Sequence, residues 1–125
     1  MNPLKDIFGE VISTYSRKEA IEDGYLFEVS ESTLKEAGIL FPTCISAGIV
    51  AKMNEAIKTC KGMNDFEGIT WDILTMLKYG IKRSTDPTRV NFIVKIWREN
   101  VTMYAVCGGG DNGEPVITIM LPNED

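Results

Sequence analysis

Three runs near the C-terminus carry apolar residues in the manner of strands: Val90 to Arg98, Val101 to Cys107 and Val116 to Leu121. Each is rich in β-branched and aromatic residues, which fit a pleated, half-buried surface. Glu99-Asn100 supplies the first link, and the second contains Asn112-Gly113, a dipeptide suited to a type I′ turn with φ > 0 at both central positions. With those turns Phe92 faces Cys107, Val94 faces Ala105 and Ile96 faces Met103, and Ala105 and Cys107 in turn face Met120 and Thr118. The opposite face carries Ile93, Lys95 and Trp97, then Thr102, Tyr104 and Val106, then Ile117, Ile119 and Leu121. Both faces are mainly apolar, whereas a sheet that is wet on one side alternates apolar with polar. The pattern predicts a sheet covered on both sides, or one whose second face meets a partner.

Upstream, the spacing changes to that of helices. Leu4, Ile7, Phe8, Val11 and Ile12 predict a short N-terminal helix, weakened by Gly9. Ser16-Arg-Lys-Glu19 has the form of a capping box and opens a helix over 17–23 that Gly24 stops. Tyr25 to Val29 reads as a strand, after which Ser30 caps a helix over 31–37 ending at Gly38. Pro42 places the extended stretch from Ile39 to Ile45 at a sheet edge, since proline cannot donate to a central ladder. Ser46, with Thr43 as the competing cap, starts a helix to about Cys60 with the stripe Ile49, Val50, Met53, Ile57 and Cys60. A longer helix runs from about Asp65 to Ser84, striped by Phe66, Ile69, Ile73, Leu74, Leu77 and Ile81 and flanked by Trp71 and Tyr79. The sum is one α+β domain over residues 1–125. An antiparallel three-stranded meander at the C-terminus is extended by one or two N-terminal strands, with the two longer helices packed on one face.

A chain of 125 residues, 44% hydrophobic and 25% charged, is long enough for a core without disulfide or metal staples. No apolar run approaches the roughly 20 residues of a membrane span, and the start lacks a secretory pattern, so the cytoplasm is expected. Cys44, Cys60 and Cys107 are an odd number without the pairing of a metal or redox motif, and read as small core residues. Histidine is absent, which excludes Ser-His and Cys-His nucleophiles. The net charge of −5 is uneven: Lys78 to Arg98 holds six basic residues against Asp86 alone, or +5, leaving −10 elsewhere. Such a segment can meet nucleic acid. The plainer reading is that Lys78, Lys82 and Arg83 complement the dipole at the end of a helix.

The glycine-rich Cys107-Gly-Gly-Gly-Asp-Asn-Gly-Glu-Pro115 leads to a strand rather than a helix, so it lacks the N–H array of a phosphate loop. Asp111, Asn112 and Glu114 offer oxygens but not the full spacing of a calcium loop. A twisted hairpin is the better reading. Trp97 and Tyr104 fall on one expected face with Lys95 opposite Tyr104, a grouping shared by interface hot spots, stacking platforms and ordinary cores. The expected interaction surface is therefore Lys95, Trp97, Tyr104, Asp111 and Asn112. No catalytic, cofactor or metal residues are assigned.

Ala20-Ile-Glu-Asp-Gly24, Glu36-Ala-Gly38, Trp71-Asp72 and the run from Cys107 to Asp125 resemble a family of small bacterial proteins of unknown function. Its members are often labelled "plasmid-related protein" and are found on plasmids and phages. The resemblance implies a cytoplasmic bacterial setting and an accessory role for a mobile element, with no activity to carry over. The sequence therefore points to a non-enzymatic accessory or regulatory module acting by contact with another protein or with itself. The alternative is nucleic-acid binding through Lys78 to Arg98.

Overall fold

A computed structural model of the chain describes residues 16–60, 65–86 and 88–124. The helix expected over residues 1–12 and the side chain of Cys60 lie outside the described residues. In chain order the elements are α1 (Arg17–Glu22), β1 (Leu26–Glu28), α2 (Glu31–Ala37), β2 (Thr43–Ser46), α3 (Ala47–Cys60), α4 (Phe66–Arg83), β3 (Arg89–Ile96), β4 (Glu99–Gly109) and β5 (Pro115–Met120), closed by a 3-10 turn at Pro122–Glu124. The fold is α+β, with a five-stranded sheet in the order β1-β2-β5-β4-β3. Its strands pair antiparallel except for β2 and β5, which run parallel.

Local chemistry sets the helix starts. Ser16 and Glu19 form both arms of a capping box, Glu19 N–H donating to Ser16 Oγ at 3.0 Å and Ser16 N–H to Glu19 Oε1 at 3.3 Å. Ser30 accepts from Thr33 N–H, and α2 ends at Gly38 with φ 79°, a left-handed cap that costs glycine no steric clash. Asp65 accepts from Gly68 N–H at 2.7 Å and opens α4. Ser46, not Thr43, caps α3. Thr43 lies in β2, where its hydroxyl donates to Phe41 O at 3.0 Å.

The meander forms, but both of its turns differ from expectation. Glu99 and Asn100 belong to β4, and the loop residues are Trp97 and Arg98, since Ile96 pairs with Glu99. Trp97 has φ 58° while Arg98 has none above zero, the pattern of a type II′ rather than a type I′ turn. Phe92 thus faces Met103 and Val94 faces Val101. The second loop has three residues, Asp111-Asn112-Gly113. Gly113 N–H donates to Gly110 O at 3.0 Å and Gly110 N–H to Glu114 O at 2.6 Å. Gly113, at φ 80°, is the left-handed residue that closes such a three-residue loop. One loop residue more than expected turns β5 over: Ala105 now faces Ile119 and Cys107 faces Ile117.

That reversal decides where the core sits. Ile117, Ile119 and Leu121 join Phe92, Val94, Met103 and Ala105 beneath α3 and α4, which bury Ile49, Val50, Met53 and Ala56 and Ile69, Ile73, Leu74 and Leu77. The Val, Leu, Ile, Phe and Met side chains among them each contribute about 1.5–3 kcal/mol when taken fully out of water. Thr118 and Met120 occupy the other face, where α1 brings Ala20 against Leu26 and Cys44. The segment with Pro42 is not at an edge. β2 begins one residue later and lies between β1 and β5, so the missing proline N–H never enters the ladder. Pro42 O instead accepts from Ile117 N–H at 2.9 Å. Among the described residues no helix is long and apolar enough to cross a membrane.

Candidate functional site

The β3–β4 hairpin shows which residues reach outward. Cys107 N–H donates to Thr88 O at 2.8 Å, and the register steps back from that pair in twos. Val90, Phe92, Val94 and Ile96 therefore direct their amides into β4, with their side chains buried in the core beneath the helices. Asn91, Ile93 and Lys95 do the reverse. Their amides point to the open edge of β3, the last strand of the sheet, and their side chains to the face away from α3 and α4. Ile93 is 55% exposed between these polar neighbours. The second face is thus not uniformly apolar: β3 alternates, whereas β5 is buried from Val116 to Met120.

The expected grouping of Lys95, Trp97 and Tyr104 is dispersed by this register. Asn91, not Lys95, is opposite Tyr104, and Lys95 is opposite Asn100. Tyr104 is 1% exposed with Arg89 lying over its ring, 4.3 Å from the centroid, so it offers no face for stacking a base. Trp97 leaves the sheet face at the turn and packs against the helix-side core, with the Arg98 guanidinium 5.1 Å from its ring. An open groove of about 290 Å³ runs beside it, bounded by Lys52, Glu55, Thr59 and Val101. Lys52 Nζ and Glu99 Oε2 pair at 3.0 Å on this side.

Asp111 serves the fold. Its carboxylate accepts from the N–H of Arg17 at 2.8 Å and of Lys18 at 3.0 Å, so with the capping box the first turn of α1 has its donors satisfied. The Arg17 side chain returns across the sheet, Nη1 donating to Thr118 Oγ1 at 2.6 Å and Nη2 to Ile117 O at 2.9 Å. Asn112 is exposed, and its N–H donates to Glu114 Oε2 at 3.1 Å. These groups do not converge on a cation site, and among the described residues no three His, Cys, Asp or Glu side chains cluster suitably for a metal. A broad groove of about 1050 Å³ opens next to α1, with Arg17, Glu28, Leu40, Phe41, Cys44 and Glu114 on its walls. Burial pushes the Cys44 thiol up, Arg17 draws it back and Glu28 adds to the rise. Burial likewise raises Cys107.

Sequence reasoning missed Glu124. Its Oε1 accepts from Ser46 Oγ at 2.6 Å and Leu121 N–H at 2.9 Å, and its Oε2 from Gly48 N–H at 3.3 Å. A carboxylate thereby sits at the N-terminus of α3, where the helix dipole favours it. No local motif announces a contact between residues 46 and 124.

The basic segment is divided. Lys78, Lys82 and Arg83 are exposed on α4, above one face of the sheet, while Arg89 and Lys95 stand on the other. A family model described as a family of unknown function, DUF6573, matches residues 4–125. The chain belongs to that family. Comparison with curated proteins and with solved structures finds no match. Membership in DUF6573 assigns no activity, so the surface geometry carries the functional reading.

Proposed function

We propose that this chain is a non-enzymatic docking module that works through protein contact, as an accessory factor of a mobile element. The supporting observation is Ile93, a large aliphatic residue 55% exposed at the centre of the outward row Arg89, Asn91, Ile93 and Lys95 on an outermost strand. An apolar centre within a polar rim is the usual anatomy of a contact patch. The two acids that offered oxygens in the sequence are taken up by the fold, Asp111 by the first amides of α1 and Glu114 by the Asn112 amide. The division of the basic segment between two faces weighs against a single nucleic-acid footprint, and retention on heparin that collapses with salt would favour that alternative.

A photo-crosslinking residue placed at position 93, with position 72 on the exposed side of α4 as the control, tests the reading in the source cell. The expected result is a discrete protein adduct at 93 and none at 72. Light scattering of the pure chain decides whether that adduct is a second copy. Equal labelling at the two positions, or none at either, would count against a docking role.

A further inference from the structure

We infer that the open edge of β3 accepts an extended acidic segment of another protein as a sixth strand, an inference that rests on the docking reading above. Three residues present the edge. Asn91, Ile93 and Lys95 each direct both N–H and C=O away from β4, and among the described residues no hydrogen bond takes up these groups. An antiparallel partner can exchange two hydrogen bonds with each of them, the arrangement by which strand addition obtains its affinity. Exposed edges of this length are commonly blunted by proline, a bulge, an overlying loop or charged side chains, lysine above all, and of these β3 carries, among the described residues, only the charges. β3 has eight residues, contains no proline and pairs with β4 without a bulge.

Charge selects the occupant. Arg89-Val-Asn-Phe-Ile-Val-Lys-Ile96 contains two cations and no acid. Of the carboxylates that flank it in sequence, Glu99 is held by Lys52 on the helix side and Asp86 accepts from the Thr88 amide and hydroxyl. Lys95 has no salt bridge among the described residues, and Arg98 extends the positive charge around the hairpin. An incoming strand therefore gains by placing a carboxylate opposite Lys95, a second near Arg89 and an apolar residue against Ile93. A second copy of β3 would instead bring Arg89, Lys95 and Arg98 of two chains together with no acid on either strand, which opposes self-pairing.

The probe is a blocked heptapeptide, Glu-Thr-Val-Thr-Thr-Thr-Glu, whose first, third and seventh side chains share a face and can lie against Lys95, Ile93 and Arg89, compared with the same peptide carrying lysine at both ends and with one carrying proline at its fifth position. Binding is followed by fluorescence anisotropy, and the edge amides by hydrogen exchange with NMR detection. The glutamate peptide is expected to bind and to slow exchange at Asn91, Ile93 and Lys95 by about tenfold or more, while the other two peptides do not. Ile93→Pro removes one outward N–H that the fold does not use and should abolish binding. Lys95→Glu leaves every backbone group in place and should weaken the glutamate peptide about three- to tenfold while admitting the lysine peptide.

Indifference to peptide charge, protection elsewhere than β3, or no binding up to millimolar peptide would overturn the inference. Dimerisation of the chain abolished by Ile93→Pro would do so as well, by naming a second copy as the occupant. A protein adduct at position 93 without peptide pairing would leave the docking reading standing and remove only strand addition.

Discussion

At the β1–β2–β5 end of the sheet, Leu26, Cys44, Thr118 and Met120 are buried on the face away from α3 and α4. At the β3 end Arg89, Asn91, Ile93 and Lys95 occupy that same face and are exposed. One sheet is therefore closed on both sides at one end and on a single side at the other. The difference is written in period: β5 is near-continuously apolar, as strands buried on both faces are, and β3 alternates. It also follows from fastening. α1 is tied to the closed end through Arg17 and Asp111, and the C-terminal turn is tied to β2 and α3 through Glu124. No comparable strap among the described residues crosses the outer face of β3.

The largest expected effect separates the two ends directly. Ile119→Ala, in the core at 0% exposure, should cost about 2–5 kcal/mol. Ile93→Ala should stay within about 0.5 kcal/mol of the parent. Urea denaturation of both variants checks this, and similar losses would erase the contrast. Next comes Glu124→Ala, which leaves the fully buried Ser46 hydroxyl and the Gly48 amide short of an acceptor and should cost about 1–3 kcal/mol. A Cβ at residue 48 would approach Glu124 Oε2 to 2.7 Å. Gly48→Ala should therefore be harmful alone and milder beside Glu124→Ala, a non-additivity that a double-mutant cycle measures. Asp111→Ala should cost about 1 kcal/mol and speed amide exchange at Arg17 and Lys18, leaving β3 unchanged. Protection lost equally at β3 would show that the two ends are not independent.

The smallest effects are those of pH. The Thr88 hydroxyl, then its amide, hold the exposed Asp86 carboxyl below the ordinary carboxylate range. A depressed folded pKa gives stability that is present above the unfolded value and lost as pH falls through the folded one. Asp86→Asn should slightly flatten the acid limb of the stability curve. The thiols of buried Cys44 and half-buried Cys107 act in the opposite direction. Raised folded values leave stability intact below the unfolded thiol pKa and drain it as pH climbs towards the folded value. Cys44→Ala should flatten the alkaline limb, and a thiol reagent at neutral pH should modify half-buried Cys107 before Cys44.

The helices were legible because their signals are local. Ser16, Ser30, Ser46 and Asp65 each lie within three residues of the amide they cap, and a 3.6-residue stripe survives an error of one or two positions at either end. The strands were legible as strands but not as faces. Asn112-Gly113 fits a two-residue loop as well as the end of a three-residue one, and that single residue exchanges Ile117, Ile119 and Leu121 with Thr118 and Met120. Tyr104 and Trp97 suffered the same ambiguity, and with them the expected aromatic grouping. Pro42 misled for a related reason: its penalty applies to a residue inside a ladder, and β2 starts just after it.

Sequence alone determined the α+β class, the places where the described helices begin and the consecutive pairing of β3, β4 and β5. Each depends on contacts made within a few residues or across one tight turn. Tertiary structure decided the parity of β5, the parallel insertion of β2 beside it, the closure of α3 by Glu124 and the exposure of one edge of β3. Those features join segments tens of residues apart, and their free energy comes from complementary surfaces that exist only once the whole sheet has assembled.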